Sequence, residues 1–139
     1  MSDLKGFKRD LNKFADSIGV KTETVLKKIS LQTFTGVVQK TPVDSGRARA
    51  SWVIGIEKPV NSPVLPENQE FDPQQAADFS FQEISELNNL GPESTVFISN
   101  SLPYIEVLEE GSSQQAPEGM VAITLFEIER DIKRLVDEV

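Results

Sequence analysis

Apolar residues recur along this chain at two spacings, and the change from one to the other marks out its elements. Leu4, Phe7, Leu11, Phe14 and Ile18 are separated by steps of three and four, so they line one face of a helix over residues 3–18, with Gly19 placed to end it. Leu26, Ile29, Thr33, Phe34, Val37 and Val38 repeat that spacing over residues 22–40, where the Thr41-Pro42 step disfavours a further helical residue. The period then shortens to two. Ala48, Ala50, Trp52, Ile54 and Ile56 alternate with Arg49, Ser51, Val53, Gly55 and Glu57, predicting a strand with one apolar face, entered through a turn at Pro42, Asp44, Ser45 and Gly46.

Residues 59–73 hold four prolines and two asparagines, which predicts an exposed excursion that cannot build a sheet. Ala76, Ala77, Phe79, Phe81, Ile84 and Leu87 then predict a helix between residues 73 and 90. After the Gly91-Pro92 break, residues 95–99 (TVFIS) form a compact β-branched strand, and residues 100–103 turn the chain. Residues 104–110 read as two turns of helix closed by Gly111. Val121, Leu125, Ile128, Ile132, Leu135 and Val139 give the clearest stripe, a last helix with Pro117 near its first turn. The sum is one α+β domain over residues 1–139: a small antiparallel sheet, three or four helices packed on it, and a long Pro-rich excursion.

Composition narrows the chemistry. With no cysteine and no histidine, the chain lacks disulfide staples, thiolate and imidazole metal ligands, cysteine nucleophiles and any Ser-His-Asp triad. No cofactor or metal site is predicted, and no run approaches the ~18 consecutive apolar residues of a membrane span. The stretch MSDLKGFKRD lacks the apolar core of a secretory signal, so the chain is expected to act where it is made or to be carried from there by assembly.

The net charge of −8 is divided unevenly: residues 1–58 carry 11 Lys/Arg against 6 Asp/Glu, and residues 59–139 carry 3 against 16. Such a chain can attract a copy of itself head to tail, or both charge sets can simply be solvated on one fold. The acidic balance speaks against sequence-specific nucleic-acid binding.

Candidate interface residues come from broken local rules. Glu109 and Glu110 sit at the carboxyl end of a predicted helix, where each opposes the helix dipole by about 0.3–1 kcal/mol. One of them is expected to meet Arg47 or Arg49, within the subunit or across an interface; otherwise both are solvated. Arg47 and Arg49 flank Ala48 at a strand start and so share a face able to grip a carboxylate or phosphate. Trp52 is read as a core anchor and Tyr104 as an interface contact or a core tyrosine. Gln114 and Gln115, in the polar loop after Gly111, complete the candidate partner surface.

Two stretches carry a resemblance. TPVDSGRARASW (residues 41–52) and VFISNSLPYIEVLEEGSSQQAPEGMV (residues 96–121) resemble ordered motifs of a family of tailed-phage neck and tail-completion proteins. The motif positions include Asp44, Gly46, Arg47, Arg49, Ser51, Trp52, Asn100, Pro103, Tyr104, Leu108, Glu109, Gly111, Ser113, Gln115, Ala116, Pro117, Gly119 and Met120; Ser45 and Ile105 depart from the pattern, which has Thr and Ala there. The resemblance implies a non-enzymatic virion protein, assembled in the host cytoplasm. It would form a ring, expected to be a hexamer, between head-closure or connector proteins and the tail terminator or tail tube. Genomic DNA would pass through its lumen without sequence-specific binding, and no membrane would be involved. Ile105 would then add bulk where a neighbour packs. Two other classes compete: a small acidic inhibitor or DNA mimic of a host factor, and a hydrolase built on carboxylates alone.

Overall fold

The computed structural model describes residues 9, 12, 13, 15, 16, 19, 21–66, 68–116 and 118–137, with side chains to residue 133. Much of the first predicted helix, including Leu4, Phe7, Leu11, Phe14 and Ile18, lies outside that set, as do Pro117 and Val139. Within it, residues 9, 12, 13, 15 and 16 are helical, and Gly19 turns the chain at φ +71°. Ala15 is buried there against Val25, with Ile29 and Ile132 packed beside them.

The first long helix, α1 (Thr22–Lys40), matches its predicted bounds. It buries Phe34, Val37 and Val38 at its carboxyl half, against the last helix and the sheet. A four-residue helical turn follows, α2 (Arg47–Ala50), and leads into β1 (Trp52–Ile56). This corrects the predicted alternation in its first half. Gly46 adopts φ +83° and starts a helical turn rather than a strand, so Arg47 and Arg49 do not share one face of a sheet.

β1 pairs antiparallel with β2 (Val96–Asn100), Trp52 opposite Asn100 and Ile56 opposite Val96, and these two strands are the whole sheet among the described residues. Trp52 and Ile54 face the main core as predicted. Val53, on the opposite face, is buried too, because the Pro-rich excursion folds back over β1. A Cβ on Gly55 would collide with the Lys58 carbonyl, and Ser62 Oγ donates to the Ser51 carbonyl at 2.6 Å. The excursion contains no strand, as expected, but it is not wholly exposed: Leu65 and Phe71 are buried with Ala50 and Ala76 in a second small core.

Helix α3 (Pro73–Phe81) opens with a reciprocal cap: Asp72 Oδ1 accepts the Gln75 amide at 2.8 Å, Gln75 Oε1 accepts the Asp72 amide at 3.2 Å, and Pro73 sits just inside. Its Phe-Ser-Phe sequence divides between two cores. Residues two apart on a helix point roughly 200° apart, so Phe79 packs on Phe71, ring centroids 5.5 Å apart, and Phe81 on Phe34 at 6.0 Å. A 3₁₀ segment (Gln82–Asn89) completes the predicted helix and buries Leu87.

After β2, α4 (Ile105–Glu109) is a short helix ended by Gly111 at φ +91°, and α5 (Val121–Asp137) closes the molecule. α5 packs on α1 with opposite direction: Thr124 lies at Gly36, and Ile132 lies by Ile29. The architecture is the mixed α+β class that the periodicity predicts, a two-stranded sheet with helices α1 to α5 about it.

Candidate functional site

The candidate residues gather at one end of the α1–α5 pair, where α1 finishes and α5 begins. Gly46 brings the chain there. Its missing Cβ leaves room for the Phe71 backbone, whose amide donates to the Ser45 carbonyl at 2.7 Å. The turn that follows sends the two arginines in different directions.

Arg49 wraps the carboxyl end of α1. Its Nη2 donates to the carbonyls of Gln39 and Thr41, both at 3.0 Å, and Nε reaches Thr41 at 3.3 Å. These are the carbonyls that a helix leaves without partners, and a cation is favoured beside them. Burial lowers the Arg49 pKa from its ordinary value. Arg47 instead ties down the excursion, donating to the carbonyls of Pro66 and Leu65. Both guanidiniums are thus engaged by backbone carbonyls, and neither meets Glu109 or Glu110.

Glu109 holds the opposite pole. Its Oε1 accepts the amides of Met120 and Val121 at 2.7 and 2.8 Å, and its Oε2 accepts Ala122 at 2.9 Å. Three orphan N–H groups at the start of α5 are satisfied by one carboxylate, at the helix end where negative charge is stabilised. A residue unfavourably placed on its own helix is therefore the cap of the next. The loop must return close to make this possible: a Cβ on Gly119, at φ +81°, would collide with the Glu109 carbonyl. Glu110 is exposed, and its carboxylate accepts no bond from the described residues.

Gln115 joins the two motif segments directly. Its Oε1 accepts the Val43 amide at 3.0 Å and its Nε2 donates to the Val43 carbonyl at 3.2 Å, a side-chain imitation of a ladder pair. On one side of this bridge lies a cleft of about 250 Å³ lined by Lys40, Arg49, Glu118 and Ile123, and on the other a cleft of about 260 Å³ under Tyr104 and Asp44. Gln114 is exposed and makes no hydrogen bond with the described residues. Asn100 spans from β2 to α2, donating to the Ala48 carbonyl at 2.9 Å.

Tyr104 stands at the start of α4, 42% exposed. Desolvation raises its pKa, the Arg47 charge opposes that, and the Asp44 charge adds to it. Val107, next along the same short helix, is 51% exposed. Ile105 is half-buried and packs against the main core. Trp52 is the core anchor expected, its Nε1 donating to Thr41 Oγ1 at 2.7 Å, while Thr41 donates onward to the Val37 carbonyl.

The sequence reading missed Glu109 as a cap and Thr41 as the indole's acceptor. Among the described residues no group of three acidic, histidine or cysteine side chains is placed to hold a metal, and no helix is long and apolar enough to cross a membrane. Comparison with protein-family models, with curated proteins and with solved structures finds no match.

Proposed function

We propose that the chain is a structural subunit of a tailed-phage particle, forming a ring in the neck or at the top of the tail that joins the head connector to the tail tube and lets DNA pass. The observation that carries this reading is how the residues of the two resembling motifs divide their work. Gly46, Arg49, Trp52, Asn100, Glu109 and Gln115 lock residues 41–52 and 96–121 into one unit, and that unit presents Tyr104, Val107, Glu110 and Gln114 outward. Exposed aromatic and aliphatic groups held on a braced short helix, amid unpaired polar ones, are contact chemistry.

The test is whether intact particles contain the chain. Mass spectrometry of purified particles is expected to detect it, and cryo-electron microscopy to find it as a ring at the head–tail junction with Tyr104 and Val107 at a subunit or partner contact. Its absence from particles overturns the reading. A second reading, an acidic protein that occupies a host factor, is favoured by one feature: residues 59–129 hold 13 Asp/Glu and no Lys or Arg. It expects a stoichiometric host partner and no chain in the particle.

A further inference from the structure

The Pro-rich excursion repeats with a period of three where it folds back over β1. Ser62 precedes Pro63 and Leu65 precedes Pro66, so both are steered away from helical backbone, and the two proline rings hold their own φ at about −65°. Of residues 62–66 only Val64 escapes these restraints. Burial shows which extended form the segment takes. Ser62 and Leu65, three apart, both face the fold: Leu65 is buried with Ala50, and Ser62 is half-buried, its amide donating to Ser101 Oγ at 3.0 Å and its hydroxyl to the Ser51 carbonyl at 2.6 Å. A strand turns every second residue inward, whereas a repeat of three belongs to a polyproline II helix. Val60, Pro63 and Pro66 make its second edge, Asn61 and Val64 its third, and all five are exposed, Val64 at 99%.

This ridge is held from below. Arg47 donates to the carbonyls of Leu65 and Pro66, and the Ser101 amide donates to Ser62 Oγ at 2.8 Å. On the outer edges, the carbonyls of Val60, Asn61, Pro63 and Val64 accept no bond from any described residue. These features select among occupants. An added strand needs an N–H at alternate positions, which Pro63 and Pro66 lack. Nucleic acid and anionic lipid need a cluster of cations, and residues 59–66 carry none. Flat aromatic rings stack on proline and valine side chains, and the N–H or O–H at their rims reaches outward carbonyls. We infer that residues 60–66 are a preformed ligand for a partner protein with an aromatic-lined groove. The groove would seat Pro63, Val64 and Pro66 between its rings and donate to the carbonyls of Pro63 and Val64. Because the prolines and Arg47 hold the segment extended before it meets a partner, docking orders little chain. The inference does not rest on the ring reading, since such a ridge would serve a connector subunit and a host-directed protein alike.

The probes are purified SH3 and WW domains, whose grooves are lined by aromatic rings, titrated into the isotope-labelled full chain and followed by nuclear magnetic resonance. The expected result is that a domain of this set binds and perturbs the signals of residues 60–66. Val64→Asp, at a side chain that packs on nothing, and the double variant Pro63→Ala, Pro66→Ala are each expected to weaken that binding roughly tenfold or more, with the near-ultraviolet signal of Trp52 retained. Arg47→Ala, which releases the Leu65 and Pro66 carbonyls, is expected to weaken it less, through lost preorganisation. Failure of every domain to bind, binding unchanged in both ridge variants, or perturbation confined to residues outside 60–66 overturns the inference. So does perturbation of the same residues by protein concentration alone, which would assign the ridge to a second copy.

Discussion

Glu109 and Glu110 are adjacent, identical in chemistry and opposite in circumstance. Replacing Glu109 by alanine removes three charge-assisted bonds and leaves the first turn of α5 uncapped, and is expected to cost about 1–3 kcal/mol in urea unfolding. Glu110→Ala is expected to stay within about 0.5 kcal/mol of the parent. Equal effects would show that the carboxylate at residue 109 does not cap the helix in solution. Tyr104 offers a second residue-scale observable because it is the only tyrosine, so an ultraviolet pH titration reports it alone. Burial raises its folded-state pKa above the unfolded value near 10, and the unfolded chain therefore loses its proton first. The neutral phenol's contribution to stability is complete below the unfolded value and is lost as pH rises through the folded one. Asp44→Asn should move the titration down and Arg47→Ala should move it up.

The contact between α1 and α5 turns on a glycine. A Cβ on Gly36 would lie 2.6 Å from Thr124 Cγ2 and 3.1 Å from Thr124 Oγ1, and that hydroxyl is buried without a partner. Alanine normally stabilises a helix interior by about 1 kcal/mol over glycine; here Gly36→Ala should instead lower the melting temperature, because the helices must part. Thr124→Ala removes both the obstruction and the unpaired hydroxyl, so the double variant should recover most of the loss, a coupling that a double-mutant cycle measures. The long helices were legible because 17 or more residues give a 3.6-residue period room to declare itself. Residues 47–50 were not: four residues cannot separate a helical turn from a strand, and what decided the matter was the positive φ of Gly46 against Phe71. The cap of α3 stood readable in Asp72, Pro73 and Gln75. The cap of α5 did not, since Glu109 reaches its amides only after a loop brings them back, and its sole written trace is a pair of glycines, Gly111 and Gly119, around the reversal.

At the scale of the molecule, charge and fold divide the chain differently. The helix caps of the candidate site use one cation, Arg49, and one anion, Glu109, at neighbouring helix ends, so part of the charge split is absorbed by architecture before any partner is met. What remains is an acidic run, residues 59–129 without a lysine or arginine, which is expected to make association with a cationic partner fall off as salt rises. The pairing of α1 with α5 also sets an order of events during synthesis. Phe34, Val37 and Val38 leave the ribosome early, but Met120 and Ile128, which help to enclose the α1 face, are made some 80 to 90 residues later. A chain stopped at residue 118 therefore leaves the α5-facing part of that stripe uncovered, and should bind a hydrophobic dye and be cut more readily by protease than the chain that carries α5. Trp52, Ile54 and Phe81 can pack on Phe34 as soon as they are made, but the face of α1 at Gly36 stays open until Thr124 arrives with α5.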